Sequence, residues 1–296
     1  MSSLLKISIL LAGMAAAQNT ECGCYSTDGV TAATYTNRIY HDFRSLDETG
    51  TLYTGEPANI TNDDESSAAP VQTGYLTSDA FVNDFGIQTW GSPASEDTPL
   101  RKQYSNANVY IEHDGSSSST HLTLRSYRNA DFVSTAEIDS KLHNIFHASI
   151  TVRARVRGAP GACAGIFTYL DDKTESDIEI LTRDPSTHIR YTNQPGLDDD
   201  GNEIPGASTD AVLPNGAVWT DWVEHRLDWT PELSAFYANG ELVETKTYGI
   251  PDAPSSFIVN IWGDGGSWSG TPDVGSAAYL DIQWIEVLFN TSDASV

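Results

Sequence analysis

The chain has 296 residues, of which 41 are acidic and 16 are basic, and its formal net charge is −25. A chain this acidic repels polyphosphates and anionic lipids, which argues against nucleic acids and membrane surfaces as partners. An uncharged or cationic ligand fits this charge better.

The first residues have the layout of a cleavable secretory signal, with one lysine, an apolar run over 7–14 and small residues at 15–17. The run is too short to span a membrane, and the other end of the chain offers no second span or lipid-anchor signal. We therefore expect a signal peptide over 1–17 and a single domain over 18–296. The mature protein is expected to be secreted, extracellular or cell-wall associated, and monomeric.

The chain has three cysteines. Cys22 and Cys24 are too close in sequence for good disulfide geometry, so we expect one of them to pair with Cys163. The sequence does not choose between Cys22 and Cys24.

Asn59 and Asn290 begin sequons and are the predicted glycosylation sites of a secreted chain.

The stretch from about 45 to 119 is dominated by polar loops. Two segments in it are predicted as outer strands, YLTSDAFV and NVYIEH. The stretch is too poor in apolar residues to bury a core of its own, so we assign it to the same domain.

From Thr120 onward the pattern is all-β. Short runs that alternate apolar and polar residues end at turn residues, which predicts these strands: HLTLRSYR, HASITVRARV, ACAGIFTYL, SDIEILTR, HIRYTN, WVEHRLDW, LSAFYANGELVETKTY, SSFIVNIWGD and AAYLDIQWIEVLF. Asn239-Gly240 predicts a tight hairpin, because a type I′ turn needs positive φ at both central positions. Regular strands over this length indicate an antiparallel two-sheet sandwich.

Three acids stand on alternate residues of one predicted strand, in DDKTESDIEILTR. Glu175, Asp177 and Glu179 therefore share one face, while Ser176, Ile178 and Ile180 point the other way and the two isoleucines face the core. A solvated acidic strand face would give the same pattern. The functional interpretation is retaining glycoside hydrolysis, which needs two carboxyl groups about 5–5.5 Å apart. A middle carboxyl group that shares a proton with the nucleophile would tune the pKa values of both.

The string Glu175-Ser-Asp177-Ile-Glu179 resembles the E-x-D-x-E signature of glycoside hydrolase family 16. The resemblance extends from about 122 to 289 and includes, in order, IFHASITVRARVRGAPGACAGIFTYLDD, IRYTNQPG, WVEHRLDWTPELSAFYANGELV and PSSFIVNIWGDGGSWSG. It implies a concanavalin-like β-sandwich, or jelly roll, with a carbohydrate cleft across a concave sheet. It also implies Glu175 as nucleophile, Glu179 as general acid/base and Asp177 as the assisting carboxylate.

Details of the signature carry further expectations. Only one residue separates Asp177 from Glu179. This spacing resembles that of the lichenase, xyloglucan and transglycosylase branches, in which the strand has no bulge. Ser176 replaces a residue that is apolar in many members, which should affect packing and not chemistry. Gln283 stands where calcium-binding members carry an acid, so we expect no metal and no cofactor.

Sugar binding needs flat apolar faces and planar polar groups. Trp262 and Asn260 share one strand face, in a segment that lines the cleft in the family. Further candidates for sugar contacts are Tyr191, Tyr169 and Trp268. Core packing is the alternative for each aromatic residue.

Arg153 could orient a cleft carboxylate or face solvent, and His225 could contact sugar or be a buried core residue. Trp229, Trp284 and Phe236 are assigned to the core.

The resulting expectation is an endo-acting, retaining hydrolase of β-linked cell-wall polysaccharide, with β-1,3(4)-glucan as the first candidate. A transglycosylase would use the same covalent intermediate, so the triplet does not separate the two activities. A non-catalytic carbohydrate-binding sandwich is the alternative of another class.

Overall fold

A computed structural model describes residues 23–46, 56–71, 74–115 and 118–292. The predicted signal peptide lies outside the described residues. Two short helices are present, α1 (Asp63–Ala68) and α2 (Asp79–Val82). The strands are β1 (Tyr25–Ser26), β2 (Thr34–Tyr35), β3 (Asn37–Asp42), β4 (Phe85–Ile87), β5 (Gly91–Ser92), β6 (Arg101–Tyr104), β7 (Val109–His113), β8 (Thr120–Arg128), β9 (Phe132–Ser140), β10 (Ile145–Gly158), β11 (Cys163–Asp171), β12 (Thr174–Leu181), β13 (His188–Asn193), β14 (Ser208–Val212), β15 (Val223–Trp229), β16 (Ser234–Ala238), β17 (Glu241–Lys246), β18 (Ser256–Trp262) and β19 (Ala277–Thr291).

The strands form two antiparallel layers. The front sheet has the order β14-β13-β12-β11-β18-β9-β4. The back sheet has the order β17-β16-β15-β10-β19-β8-β7, and β3 pairs with the last part of β19. Strand β9 joins the two layers, because its first half pairs with β6 and β8 and its second half with β18 and β4.

The core lies between the layers and is built by period-two alternation. Ile178 and Ile180 of the front sheet and Ile150 and Val152 of the back sheet are each at most 1% exposed and belong to one cluster. The predicted jelly-roll sandwich is confirmed.

Several local predictions can be compared directly. The hairpin between β16 and β17 has Asn239 at φ 50° and Gly240 at φ 80°, as a type I′ turn requires. Trp229 and Phe236 are fully buried, as predicted, whereas Trp284 is only half-buried on the outer side of the back sheet.

The segment YLTSDAFV is not a strand. It forms a 3₁₀ turn followed by α2, and its two buried side chains are Leu76 and Phe81. Phe81 packs against the rings of His41 and Phe85, so an aromatic cluster determines the local conformation. The strands β9 and β14 were not predicted from the sequence. No helix in the described ranges is long and apolar enough to cross a membrane.

Candidate active site

Strand β12 lies in the front sheet between β11 and β13 and carries the acidic triplet. Its isoleucines face the core, so Glu175, Asp177 and Glu179 point to the other face of the sheet. Their register partners on β11 are Tyr169, Phe167 and Gly165.

A row of polar side chains crosses this face at the level of Glu179. Strand pairing places Glu137, Asn260, Gly165, Glu179 and Arg190 side by side on β9, β18, β11, β12 and β13. Glycine is required in the middle of this row, because a Cβ atom at Gly165 would lie 2.8 Å from Asn260 Oδ1. The Asn260 side chain therefore packs directly over the backbone of β11.

The first two acids of the triplet are joined by a hydrogen bond. Burial raises the pKa of Glu175 to about 7, and the nearby charge of Glu179 adds to this while the hydrogen bond from Asp177 opposes it. Burial, followed by the charges of Glu175 and Glu179, raises the pKa of Asp177 well above its ordinary value. The pair therefore holds a proton to higher pH than isolated carboxyl groups do.

Gln194, just after β13, fixes Asp177 from the other side. Its Nε2 donates to Asp177 Oδ2 at 3.1 Å, while its Oε1 accepts from the Gly196 amide at 2.7 Å. The Asp177 rotamer is therefore held by a side chain that is itself held by backbone.

Glu179 is half-buried, and its removal from solvent raises the pKa of its carboxyl group. Two hydrogen bonds and the charge of Arg190 oppose this rise. Trp268 Nε1 donates to Glu179 Oε1 at 2.9 Å, and Cys163 Sγ donates to the same oxygen at 3.2 Å. A raised pKa keeps the proton on a carboxyl group to higher pH, which is the direction that a general acid needs.

Four of the predicted sugar contacts lie at this face. Trp262 is half-buried with Lys102 Nζ 4.3 Å from its ring centroid, and Asn260 Nδ2 donates to Glu137 Oε2 at 3.0 Å. Trp268 is 36% exposed. Tyr169, beside Glu175, donates its hydroxyl proton to Asp172 Oδ1 at 3.0 Å.

Three other predicted contacts lie elsewhere. Tyr191 is fully buried on the core side of β13 and stacks on Phe236 at 4.7 Å, so its assignment to the cleft is wrong. Its side chain lies on the face of β13 opposite to that of Arg190.

His225 and Arg153 are in the back sheet, away from the triplet. His225 is fully buried opposite Val152, and burial lowers its pKa to about 4. It is a core residue and not a sugar contact. Arg153 Nε donates to Gln283 Oε1 at 2.9 Å, which contradicts its assignment to the cleft.

The predicted disulfide to Cys163 is also wrong. The Cys163 thiol is free, fully buried at the start of β11 and bonded to Glu179. The sequence analysis missed Cys163, Gln194, Glu137 and Lys102 as neighbours of the site. Parity along β11 and β18 places Cys163 and Trp262 on the site face, but only once the register with β12 is known.

A three-residue cluster on the back sheet has ligand types that metals use. Atoms of Glu112, His121 and Asp281 lie within 4.8 Å of one another. However, Nε of both Arg155 and Arg157 donates to Asp281 Oδ2 at 2.9 Å. Because two guanidinium groups already balance these carboxylates, the cluster does not fit a cation.

The two sequon asparagines differ. Asn59 is exposed. Asn290 Nδ2 donates to the Thr34 carbonyl at 3.1 Å and its Oδ1 accepts from the Thr36 amide at 3.1 Å, so the nitrogen to which a glycan would attach is already engaged.

The fold and site define a class: jelly-roll sandwiches whose front sheet carries three carboxyl groups on alternate residues of one strand. Within that class, residues 98–286, more than half of the chain, match the family described as glycosyl hydrolases family 16. The chain belongs to this family.

Relatives agree with this assignment. The chain is 29% identical over 141 residues to a beta-glucanase of Paenibacillus polymyxa, which covers 44% of this chain and 54% of that protein. It is 26% identical over 156 residues to Crh-like protein 2 of Aspergillus fumigatus, which covers 48% of this chain and 33% of the relative. The chain thus spans about half the length of the first relative and a third of the second.

Solved structures share the fold. The beta-glucanase of Bacillus licheniformis has a TM-score of 0.55 at 19% identity, over 70% of this chain and 93% of that one. The catalytic domain of a laminarinase from Thermotoga petrophila has a TM-score of 0.56 at 18% identity, over 71% and 92%.

Proposed function

We propose that the chain is an endo-acting, retaining glycoside hydrolase of β-linked cell-wall polysaccharide. Glu175 is the nucleophile, Glu179 the general acid/base and Asp177 the assisting carboxyl group. The observation that carries this proposal is the placement of three carboxyl groups on one face of β12, with the pKa of each raised and Glu179 held by two donors. We assign one proton to Asp177, toward Glu175, and a second proton to Glu179.

The chemistry follows from these protonation states. The Glu175 carboxylate attacks the anomeric carbon while Glu179 passes its proton to the departing glycosidic oxygen, and the C–O bond breaks. Water then attacks the glycosyl–Glu175 ester, and Glu179 accepts the proton of that water. Two displacements at one carbon retain its configuration.

A neutral β-1,3(4)-glucan is the proposed substrate. The named activities of the relatives, beta-glucanase and laminarinase, support this choice. The site face also offers aromatic rings at Trp262, Trp268 and Tyr169 and an amide at Asn260, which suit an uncharged sugar chain. We further propose that the protein is secreted, that residues 18–296 act as one monomeric domain, and that Asn59 is glycosylated.

We expect Glu175→Gln to abolish turnover with the fold intact, because the amide cannot form the covalent intermediate. Products from laminarin, lichenan, xyloglucan, galactan and chitin are measured by mass spectrometry and new reducing ends. Glu241→Gln, on an exposed site of β17, is the matched control and should keep full activity. Glucan cleavage by Glu175→Gln near the unmodified rate would contradict the assignment.

The match to Crh-like protein 2 supports a second candidate, a transglycosylase that passes the glycosyl group to a sugar. Incubation with a labelled oligosaccharide acceptor separates the two: labelled polymer indicates transfer, and only shorter fragments indicate hydrolysis. Tight polysaccharide binding without new reducing ends would instead support a binding module.

A further inference from the structure

The Cys163 thiol occupies an unusual place in the site. It begins β11, is fully buried, and donates to Glu179 Oε1 at 3.2 Å. Trp268 Nε1 reaches the same oxygen at 2.9 Å from the loop after β18. Among the described residues, no donor reaches Oε2 of Glu179.

The surroundings keep this sulfur a donor. Burial, followed by the charge of Glu179, raises the pKa of the Cys163 thiol well above its ordinary value, while Lys102 opposes the rise weakly. A thiol in that state is protonated at all working pH values, so it is neither a nucleophile nor a metal ligand.

We propose that Cys163 is a positioning residue for Glu179: together with Trp268 it saturates Oε1, so that the transferable proton resides on Oε2, the oxygen left free to meet the glycosidic bond. This inference rests on the proposed function of Glu179. The physical reason is that a carboxylic acid protonates the oxygen that is not already accepting two hydrogen bonds. The two donors also fix the rotation of the carboxyl group.

The thiol has a second effect. A hydrogen bond to the ionised form of Glu179 favours that form, so it opposes the rise in pKa that burial causes. Removing the donor should therefore raise the pKa of Glu179, and replacing it by a hydroxyl group, a stronger donor, should lower it.

The direct test is a ¹³C NMR titration of glutamate-labelled protein, in which Glu179→Gln identifies the Glu179 resonance. We expect a higher pKa of Glu179 in Cys163→Ala and Cys163→Val, and a value at or below the unmodified one in Cys163→Ser. Thr168→Val is the matched control, because Thr168 is buried on the core side of β11. It should leave the titration unchanged.

The kinetic test distinguishes a loss of proton donation by Glu179 from other causes of a lower kcat. On polysaccharide, Cys163→Ala should lose about 3- to 10-fold in kcat, the effect of one hydrogen bond, and the basic limb of its pH profile should move to higher pH. On a dinitrophenyl glycoside, whose leaving group needs no proton, kcat for glycosylation should change less than twofold. Cys163→Ser should restore most of the loss.

The outcomes separate the two proposals. An unchanged Glu179 titration in folded Cys163→Ala and Cys163→Val would overturn the positioning role, whatever the activity. Equal losses on both substrates in these variants would also overturn it. A shifted titration in a protein that cleaves no glycan would support the Cys163–Glu179 coupling and refute the proposed function.

Discussion

The raised pKa of Glu175 has a consequence for stability. The pKa of Glu175 in the folded protein, about 7, lies above its unfolded value of 4.5. Such a group favours folding fully below the unfolded pKa and loses that contribution as pH rises through the folded pKa. The desolvated Glu175 carboxylate therefore lowers the free energy of unfolding at neutral and alkaline pH.

Glu175→Gln should thus become more stable than the unmodified protein as pH rises from 4 to 8. The expected gain at pH 8 is on the order of 1–3 kcal/mol, with little difference at pH 4. Thermal unfolding across this pH range measures it. A constant difference at all pH values would show that Glu175 is not the titrating group.

Residue parity explains which site predictions failed. In HIRYTN, Ile189 and Tyr191 share one face and are both buried, whereas Arg190 faces Glu179. The apolar partner at 189 already indicated that Tyr191 belongs to the core. The common face of the three acids was predictable, because two isoleucines fix the phase of β12 in the same way.

At the scale of single elements, Ser176 shows how β12 departs from its relatives without losing packing. Its hydroxyl is fully buried and donates to Asn193 Oδ1 at 2.6 Å. Asn193 Nδ2 in turn donates to Ser234 Oγ at 3.1 Å and the Tyr248 carbonyl at 2.9 Å. A polar network thus packs beneath β12.

Ser176→Ala should lower the free energy of unfolding by about 1–3 kcal/mol, because it leaves the Asn193 oxygen buried and unsatisfied. Chemical denaturation measures the loss. Activity per folded molecule should stay close to normal, since the hydroxyl points away from the site. Ser67→Ala on the exposed face of α1 is the control. Equal stability of both variants would contradict the network's role.

Strand β9 was missed because polar residues occupy half of its buried positions. Ser134 and Thr135 are at most 2% exposed, and Ser134 Oγ accepts from Asn108 Nδ2 at 2.7 Å. Hydrogen bonds therefore replace the hydrophobic alternation that normally predicts a strand. This strand brings Glu137 to the front sheet.

At the scale of the whole molecule, the back sheet carries a charge network that supports the sandwich far from the site. Burial would raise the pKa of Asp281, but hydrogen bonds and charges from His121 and Arg157 outweigh burial and hold it well below its ordinary value. A depressed pKa means that the stabilisation is present above the unfolded pKa and is lost only as pH falls through the folded one.

Asp281→Asn should destabilise the protein by about 3–5 kcal/mol at pH 6, because Arg155 and Arg157 lose a buried anionic partner. This loss of stability should be smaller in strong acid. Denaturation at several pH values measures this, with exposed Asp273→Asn as the control. Full stability of Asp281→Asn would contradict the network's importance, and the catalytic rate of the folded fraction should be unaffected.

The sequence by itself determined what depends on local periodicity. Alternation placed Glu175, Asp177 and Glu179 on one face, and turn chemistry placed the hairpin at Asn239. These features depend on neighbours along the chain, whose geometry is nearly the same in every strand or turn.

Only the tertiary structure decided which groups meet across strands and how far they are desolvated. The thiol of Cys163 lies beside Glu179, and Asn260 beside Glu137, because register aligns segments that are distant in sequence. The raised pKa of Asp177 likewise depends on burial and on the charges of Glu175 and Glu179. Neither register nor desolvation is a property of any single stretch of sequence, which is why the disulfide was predicted wrongly.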